Sequence, residues 1–352
     1  MRKHGTSNRR RVLLIRLLVP CLTLVAIEAL CRAYWTVSVG VPFFRTDQLM
    51  LTMFYPEALT VQRAAIRRGN GSFDVLLLGA SVIDANLGNA GILLEKQLRQ
   101  ETHRSVVIYN VAAAAQNSLD SLQKYRHLDD KFFDLVIFYH GINETRANNC
   151  PTEVFRSDYS HYSWYRRVNQ LAAHPEVAWF VLPFTMSRSL LLAREKLWPP
   201  AEVPTHRPNS EWLKYGSDYK SVESFRANAM SIASLAHRRG QKLVLVSFAL
   251  HPEHAGVKPT GISRHYTGLW GDFDNVVGAV AAHNQALAEI ADTDRAVEFI
   301  DIDARMPKQD RYFDDICHFT KIGANVFARI IANDVAPLVL ASDEGAVLEF
   351  PE

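Results

Sequence analysis

Five short apolar runs constrain this chain most: VLLL at 75–78, VVIY at 106–109, LVIFY at 135–139, LVLVSF at 243–248 and VEFI at 297–300. A strand with one wet face alternates apolar and polar residues, whereas a strand covered on both faces reads as a nearly continuous apolar run. Between the runs lie stretches of helical spacing at 90–100, 119–128, 221–239, 275–291 and 322–335. Strand and helix in alternation predict an α/β domain over residues 73–340, a doubly wound, flavodoxin-like fold on a five-stranded parallel sheet. Two stretches break the rhythm. Residues 36–72 form a linker expected to carry a helix over 56–68. Residues 145–220 form an aromatic-rich insert, longer than one crossover helix needs, read either as an excursion packing on the sheet edge or as a wall near the substrate.

Ahead of this domain, residues 12–30 read VLLIRLLVPCLTLVAIEAL. Nineteen helical residues at about 1.5 Å each span roughly the 30 Å hydrocarbon core of a bilayer. Arg16 can snorkel at one end, and Tyr34 and Trp35 suit the interface at the other. Cys31-Arg32-Ala33 is a poor cleavage site, so an uncleaved transmembrane anchor over 12–35 is expected rather than a removed signal or a buried soluble helix. Arg2, Lys3, Arg9, Arg10 and Arg11 make residues 1–11 a basic tail that stays in the cytoplasm, which turns the body outward. Without those five charges the formal balance of +2 becomes −3, which excludes a dedicated nucleic-acid binder.

Open α/β sheets bind ligands beyond the carboxyl ends of their strands. Gly79-Ala80-Ser81 follows the first run, and Asn110 with the 112–115 alanines follows the second. His140-Gly141-Ile142-Asn143-Glu144 follows the third, and Asp314-Asp315-Ile316-Cys317-His318 precedes the last helix. A serine hydroxyl needs a base, the base needs a carboxylate, and the oxyanion needs preorganised donors. The segments supply each type on one rim. Asp-x-x-His lets a tight turn set the carboxylate on the ring nitrogen that does not face the serine. A Gly-x-Ser-x-Gly elbow is absent, since Ile83 stands where its last glycine belongs, and there is no glycine-rich phosphate loop. His251-Pro252-Glu253-His254 is read as a polar loop lining the cleft rather than a metal site.

These segments resemble the consensus blocks of the SGNH hydrolases, a branch of the GDSL esterase/lipase superfamily, over about residues 73–336 less the insert. The resemblance implies Ser81 as nucleophile, His318 as base and Asp315 as its orienter, with Asp314 the alternative at the wrong offset. It implies an oxyanion hole from the Ser81 and Ala115 N–H groups and the Asn143 amide. Ala80 stands for the usual aspartate and Glu144 for a second one. Ala115 occupies the place of a glycine, and alanine resists the positive φ that glycine accepts there. His140, Glu144 and His251 are candidate substrate contacts on the same rim, with His140 read chiefly as cleft floor. The family pattern needs no cofactor and no metal.

The expected activity is therefore that of a membrane-anchored serine esterase acting on an acylated small molecule or glycan. An O-acyltransferase using the same acyl-serine, and a glycan-binding or assembly protein that keeps the fold without turnover, stay open as alternatives. Cys150 and Cys317 both fall in rim loops. An oxidising compartment would permit a disulfide between them, the other reading being two unrelated buried thiols.

Overall fold

The computed structural model describes residues 5–198, 209–252 and 270–341, with side chains from residue 15 onward. Glu253 and His254 lie outside the described residues. In chain order the elements are α1 (Gly5–Val39), α2 (Leu49–Phe54), α3 (Leu59–Arg63), β1 (Phe73–Gly79), α4 (Ala90–Thr102), β2 (Val106–Asn110), α5 (Ser118–Arg126) and β3 (Leu135–Tyr139). There follow α6 (Ser163–Ala172), α7 (Leu182–Leu197), α8 (Ser221–Arg238), β4 (Lys242–Val246), α9 (Phe273–Thr293), β5 (Val297–Ile300), α10 (Ile302–Arg305) and α11 (Lys321–Ala341). The chain divides into two compact units, Thr60–Arg166 with Glu202–Glu352, and Met1–Leu59 with Arg167–Ala201.

The first of these is a doubly wound α/β unit. Its five strands are all parallel in the order β2-β1-β3-β4-β5. The central strands β1 and β3 are buried along their whole length, and the edge strands β2 and β5 only in part. Of the five runs only VEFI, on the edge strand β5, carries a charge, Glu298, which the strand leaves exposed. Side chains alternate across the sheet. Val75, Leu77, Leu135, Ile137 and Tyr139 join Leu94 and Leu98 of α4 and Phe327, Ile331 and Val335 of α11 in one core. On the other face Phe138 meets Phe225 of α8, with ring centroids 5.9 Å apart. Successive strands end level, with Gly79 paired to Tyr139, Tyr139 to Val246 and Val246 to Ile300, so the loops that follow share one rim.

Among the described residues, two helices are long and apolar enough to cross a membrane, Ile15–Val39 and Lys321–Ala341. The second buries Ala324, Phe327, Ala328, Ile331 and Val335 at helical spacing and is a core helix. The first, within the other unit, leaves nearly all its apolar side chains exposed from Ile15 to Leu30. That unit also holds α7, whose N-terminus is tied to α1. Glu28 accepts the N–H groups of Val181 and Leu182 (3.1 and 3.0 Å) and the Arg32 guanidinium (2.7 Å). Trp35 donates its indole N–H to Thr185 (2.8 Å) and stacks on Phe184.

The helix expected over 56–68 shortens to a 3-10 turn at Pro56–Ala58 followed by α3. Past Arg63 the backbone turns to tertiary partners, and the Ile66 carbonyl accepts the Phe132 N–H. The insert is divided between the units. Its first part packs in the sheet unit, where Tyr162 donates to the Arg146 carbonyl (2.6 Å) and Tyr165 to Asp120 (2.9 Å).

Candidate active site

Ser81 opens a 3-10 turn two residues beyond the end of β1. Gly79 must be glycine for packing: a Cβ there would sit 2.3 Å from the Ile83 side chain and 3.1 Å from the Tyr139 carbonyl. The turn is bolted to the loop after β2 from two sides. Asn110 donates to the Ile83 carbonyl (2.7 Å) and accepts from the Ala112 N–H (2.9 Å). Asp84, buried, accepts the N–H groups of Asn86 (2.8 Å) and Ala114 (3.0 Å). Asp84 matches none of the blocks that mark Ser81, Asn143, Asp315 and His318. An acid three residues past the serine, in an otherwise apolar Val-Ile-Asp run, was the signal for it.

Asp315 and His318 sit on a narrow excursion between β5 and α11. Phe313 and Phe319 pair as an antiparallel bridge, and the Asp314 N–H donates to the His318 carbonyl (2.7 Å), which closes the loop around Asp315–Cys317. Asp315 is buried. One carboxylate oxygen accepts the backbone N–H groups of Cys317 (2.8 Å) and His318 (2.7 Å), and the other accepts His318 Nδ1–H at 2.6 Å. With that tautomer, set by the carboxylate, Nε2 is left as an acceptor and takes the Ser81 hydroxyl at 2.9 Å. Burial alone would raise the Asp315 carboxyl; the His318 ring and the two N–H donors outweigh it and hold it down at about 2. Asp314 is exposed, so of the two aspartates Asp315 is the one on the ring.

The Asp315, Cys317 and His318 ligand atoms lie within 4.8 Å of one another. The Asp315 carboxylate and the His318 Nδ1 are engaged with each other, and burial pushes the Cys317 thiol far above its usual range. That donor set suits a carboxylate–imidazole pair better than a metal.

Asn143 lies on the turn after β3, the strand hydrogen-bonded to β1, and is buried. Its side-chain oxygen accepts from Trp270 Nε1 (3.0 Å) and from Arg146. Those two donors fix the amide so that its NH2 end cannot flip. One of its hydrogens goes to the Gln116 carbonyl (2.7 Å), leaving the other to give. Ala115 adopts φ 66°, in the left-handed region that ordinarily favours glycine. Its carbonyl is held by Arg146 (3.2 Å). Neither Trp270 nor Arg146 carried a pattern that sequence alone could connect to Asn143.

The structure turns His140 and Glu144 inward, and neither is carried forward as a substrate contact. His140 bonds Ser121 through Nε2 at 2.7 Å, and burial with Lys124 nearby lowers its basicity to about 3. Glu144 accepts the Ser118 N–H, and burial pushes its carboxyl up to about 7. Both anchor the rim from behind, because the entire 142–148 turn is buried. His251 is also buried. It joins Asp310 at 2.9 Å, and its N–H donates to the Ile316 carbonyl (2.8 Å), so it braces the histidine loop. Cys150 and Cys317 are both free and buried; the Cys150 thiol points to the Ala147 carbonyl (3.5 Å). No disulfide links them in this structure.

No family model and no curated protein matches the chain. Among solved structures, a lipase/acylhydrolase from Enterococcus faecalis is 12% identical over 75% of this chain and 95% of its own, with a TM-score of 0.41. A GDSL-like lipase from Bacteroides thetaiotaomicron is 13% identical over 80% and 97%, with a TM-score of 0.44. A family 3 carbohydrate esterase from Clostridium thermocellum is 10% identical over 77% and 98%, with a TM-score of 0.42.

Proposed function

We propose that this protein is a serine esterase of the SGNH type, held to a membrane by α1 with its sheet unit outside the cytoplasm. The observation that carries the reading is the unbroken hydrogen-bond chain from the Ser81 hydroxyl through His318 to Asp315, at 2.9 and 2.6 Å. In that reading the Ser81 oxygen attacks the ester carbonyl carbon while His318 Nε2 takes the hydroxyl proton. Asp315, ionised at any working pH, stabilises the imidazolium. The tetrahedral oxyanion is met by the Asn143 amide and the N–H groups of Ser81 and Ala115. His318 then protonates the departing alcohol, leaving acyl-Ser81, and water activated by the same ring releases the acid. The substrate is a carboxyl ester of a small molecule or a surface glycan, and no cofactor enters any step.

The test is kinetic. Full-length protein in detergent is assayed on short acyl esters and on O-acetylated glycan, with Ser81→Ala and His318→Ala beside it. Each variant should lose turnover while keeping its circular dichroism. Undiminished turnover by Ser81→Ala would remove the mechanism. Transfer of the acyl group to an added sugar in preference to water would make the protein an acyltransferase on the same serine.

A further inference from the structure

Helix α7 presents the wrong face to water. At 3.6 residues per turn, Met186, Leu190 and Leu197 fall within about 40° of one another. The opposite arc, with Phe184 buried and Arg188, Leu191 and Glu195 half-buried, is the one turned to the protein. The outer arc of a helix on a soluble domain is ordinarily polar. Here Leu190 and Leu197 are 69% and 68% exposed, and the helix is flanked by Trp179 and Trp198 at 79% and 71%. Arg194 and Lys196 stand on either side of the apolar stripe.

The depth of this face follows from where α7 begins. Glu28 accepts the N–H groups of Val181 and Leu182, Arg32 donates to the carbonyls of Phe43 (3.2 Å) and Trp179, and Trp35 donates to Thr185. These contacts pin the start of α7 to the 28–35 stretch of α1. The apolar helix Ile15–Val39 has 25 residues. At about 1.5 Å each it is roughly 37 Å long, which exceeds the 30 Å hydrocarbon core, so its last turns stand in the headgroup layer. A helix starting from that level, with an apolar outer stripe, flanking cations and tryptophans at both ends, has the make-up of an interfacial helix.

We infer that α7 is a second membrane-contacting element, lying in the headgroup–acyl boundary of the bilayer that α1 spans, with Met186, Leu190, Leu197 and both tryptophans turned into lipid. The inference rests on the reading of α1 as an anchor, and the experiment separates the two. Full-length protein is reconstituted into vesicles of phosphatidylethanolamine and phosphatidylglycerol and labelled with an environment-sensitive thiol fluorophore. Exposed Cys21, in a Cys31→Ser background, reports on α1. Leu190→Cys, in a Cys21→Ser, Cys31→Ser background, reports on α7. The label at 190 should be quenched by lipids carrying a quencher near the top of the acyl chain more than by lipids carrying it near the methyl end. The label at 21 should show deep quenching, and aqueous iodide should reach neither. A lipid-quenched 21 with an iodide-quenched 190 overturns the inference and leaves the anchor standing. A label at 190 shielded from both quenchers, with disulfide cross-linking between copies through that cysteine, assigns the face to a second copy and equally overturns it. Iodide quenching at both positions removes the anchor and the inference together.

Discussion

Replacing Asp315 by asparagine tests the site more finely than deleting it, because the structure dictates how the new amide must sit. One Asp315 oxygen already accepts the Cys317 and His318 N–H groups at 2.8 and 2.7 Å. Only a carbonyl oxygen can take that place, so the asparagine NH2 must occupy the other, 2.6 Å from His318 Nδ1. Two donors cannot face each other there. The ring is driven to carry its proton on Nε2, where it donates toward Ser81 instead of accepting from it. Loss of the correct tautomer lowers kcat by about 10⁴, or ~5.5 kcal/mol of transition-state stabilisation. Asp314→Asn, an exposed change one residue away, should leave kcat untouched. The assay is hydrolysis of a chromogenic acetate ester at neutral pH, with circular dichroism as the fold control. A second readout comes from linkage. A carboxyl depressed from 3.8 to about 2 stabilises the fold by about 2 kcal/mol. Because the shift is downward, that stability is present above pH 3.8 and is lost as pH falls through about 2. Asp315→Asn should therefore lack this acid-side decline. Activity within about tenfold of wild type, against the ~10⁴ loss expected for a wrong tautomer, would refute the geometry.

Three further outcomes follow from named contacts. Asn143→Ala should lower kcat by about 10²–10³ with KM little changed, the scale of one lost oxyanion donor; an effect confined to KM would make Asn143 a substrate-positioning group. Ala115→Gly should raise the unfolding midpoint, since relief of about 1–2 kcal/mol of left-handed strain exceeds the roughly 0.4–1 kcal/mol that glycine adds to unfolded-state entropy; a lowered midpoint would contradict the positive φ. Glu144→Gln keeps the acceptor for the Ser118 N–H but removes a charge that burial disfavours. A carboxyl raised from 4.5 to about 7 penalises the folded state increasingly as pH climbs through that window, by about 3 kcal/mol above it. The variant should thus gain stability over wild type in alkaline urea titrations and not in acidic ones.

The fold was legible because both faces of β1 and β3 are covered, which left apolar runs with no competing pattern. Strand ends were not. The run 243–248 overshoots β4, which ends at Val246: the Ser247 N–H still donates to the Ile300 carbonyl (3.0 Å), but the Phe248 N–H goes to the Asn284 side chain (2.6 Å) and leaves the ladder. The Ser81–His318–Asp315 hydrogen-bond chain could be anticipated from order and offset along the sequence, since the proposed chemistry needs those residue types at successive strand ends. The facing of His140 and Glu144 could not. It depends on a buried polar network with Ser118 and Ser121, residues without a periodic signature. A positive φ at Ala115 was expected only through the resemblance; alanine itself carries no signal for the φ of 66° that it adopts.

The whole proposed mechanism turns on Ser81 as an activated nucleophile. The measurement that bears on it most directly is reaction of the full-length protein with a fluorophosphonate probe, followed by peptide mapping of the adduct. Labelling should be stoichiometric on Ser81 and abolished in His318→Ala and in denatured protein. Absence of labelling on folded protein, or labelling at another serine with Ser81 unmodified, would contradict the mechanism.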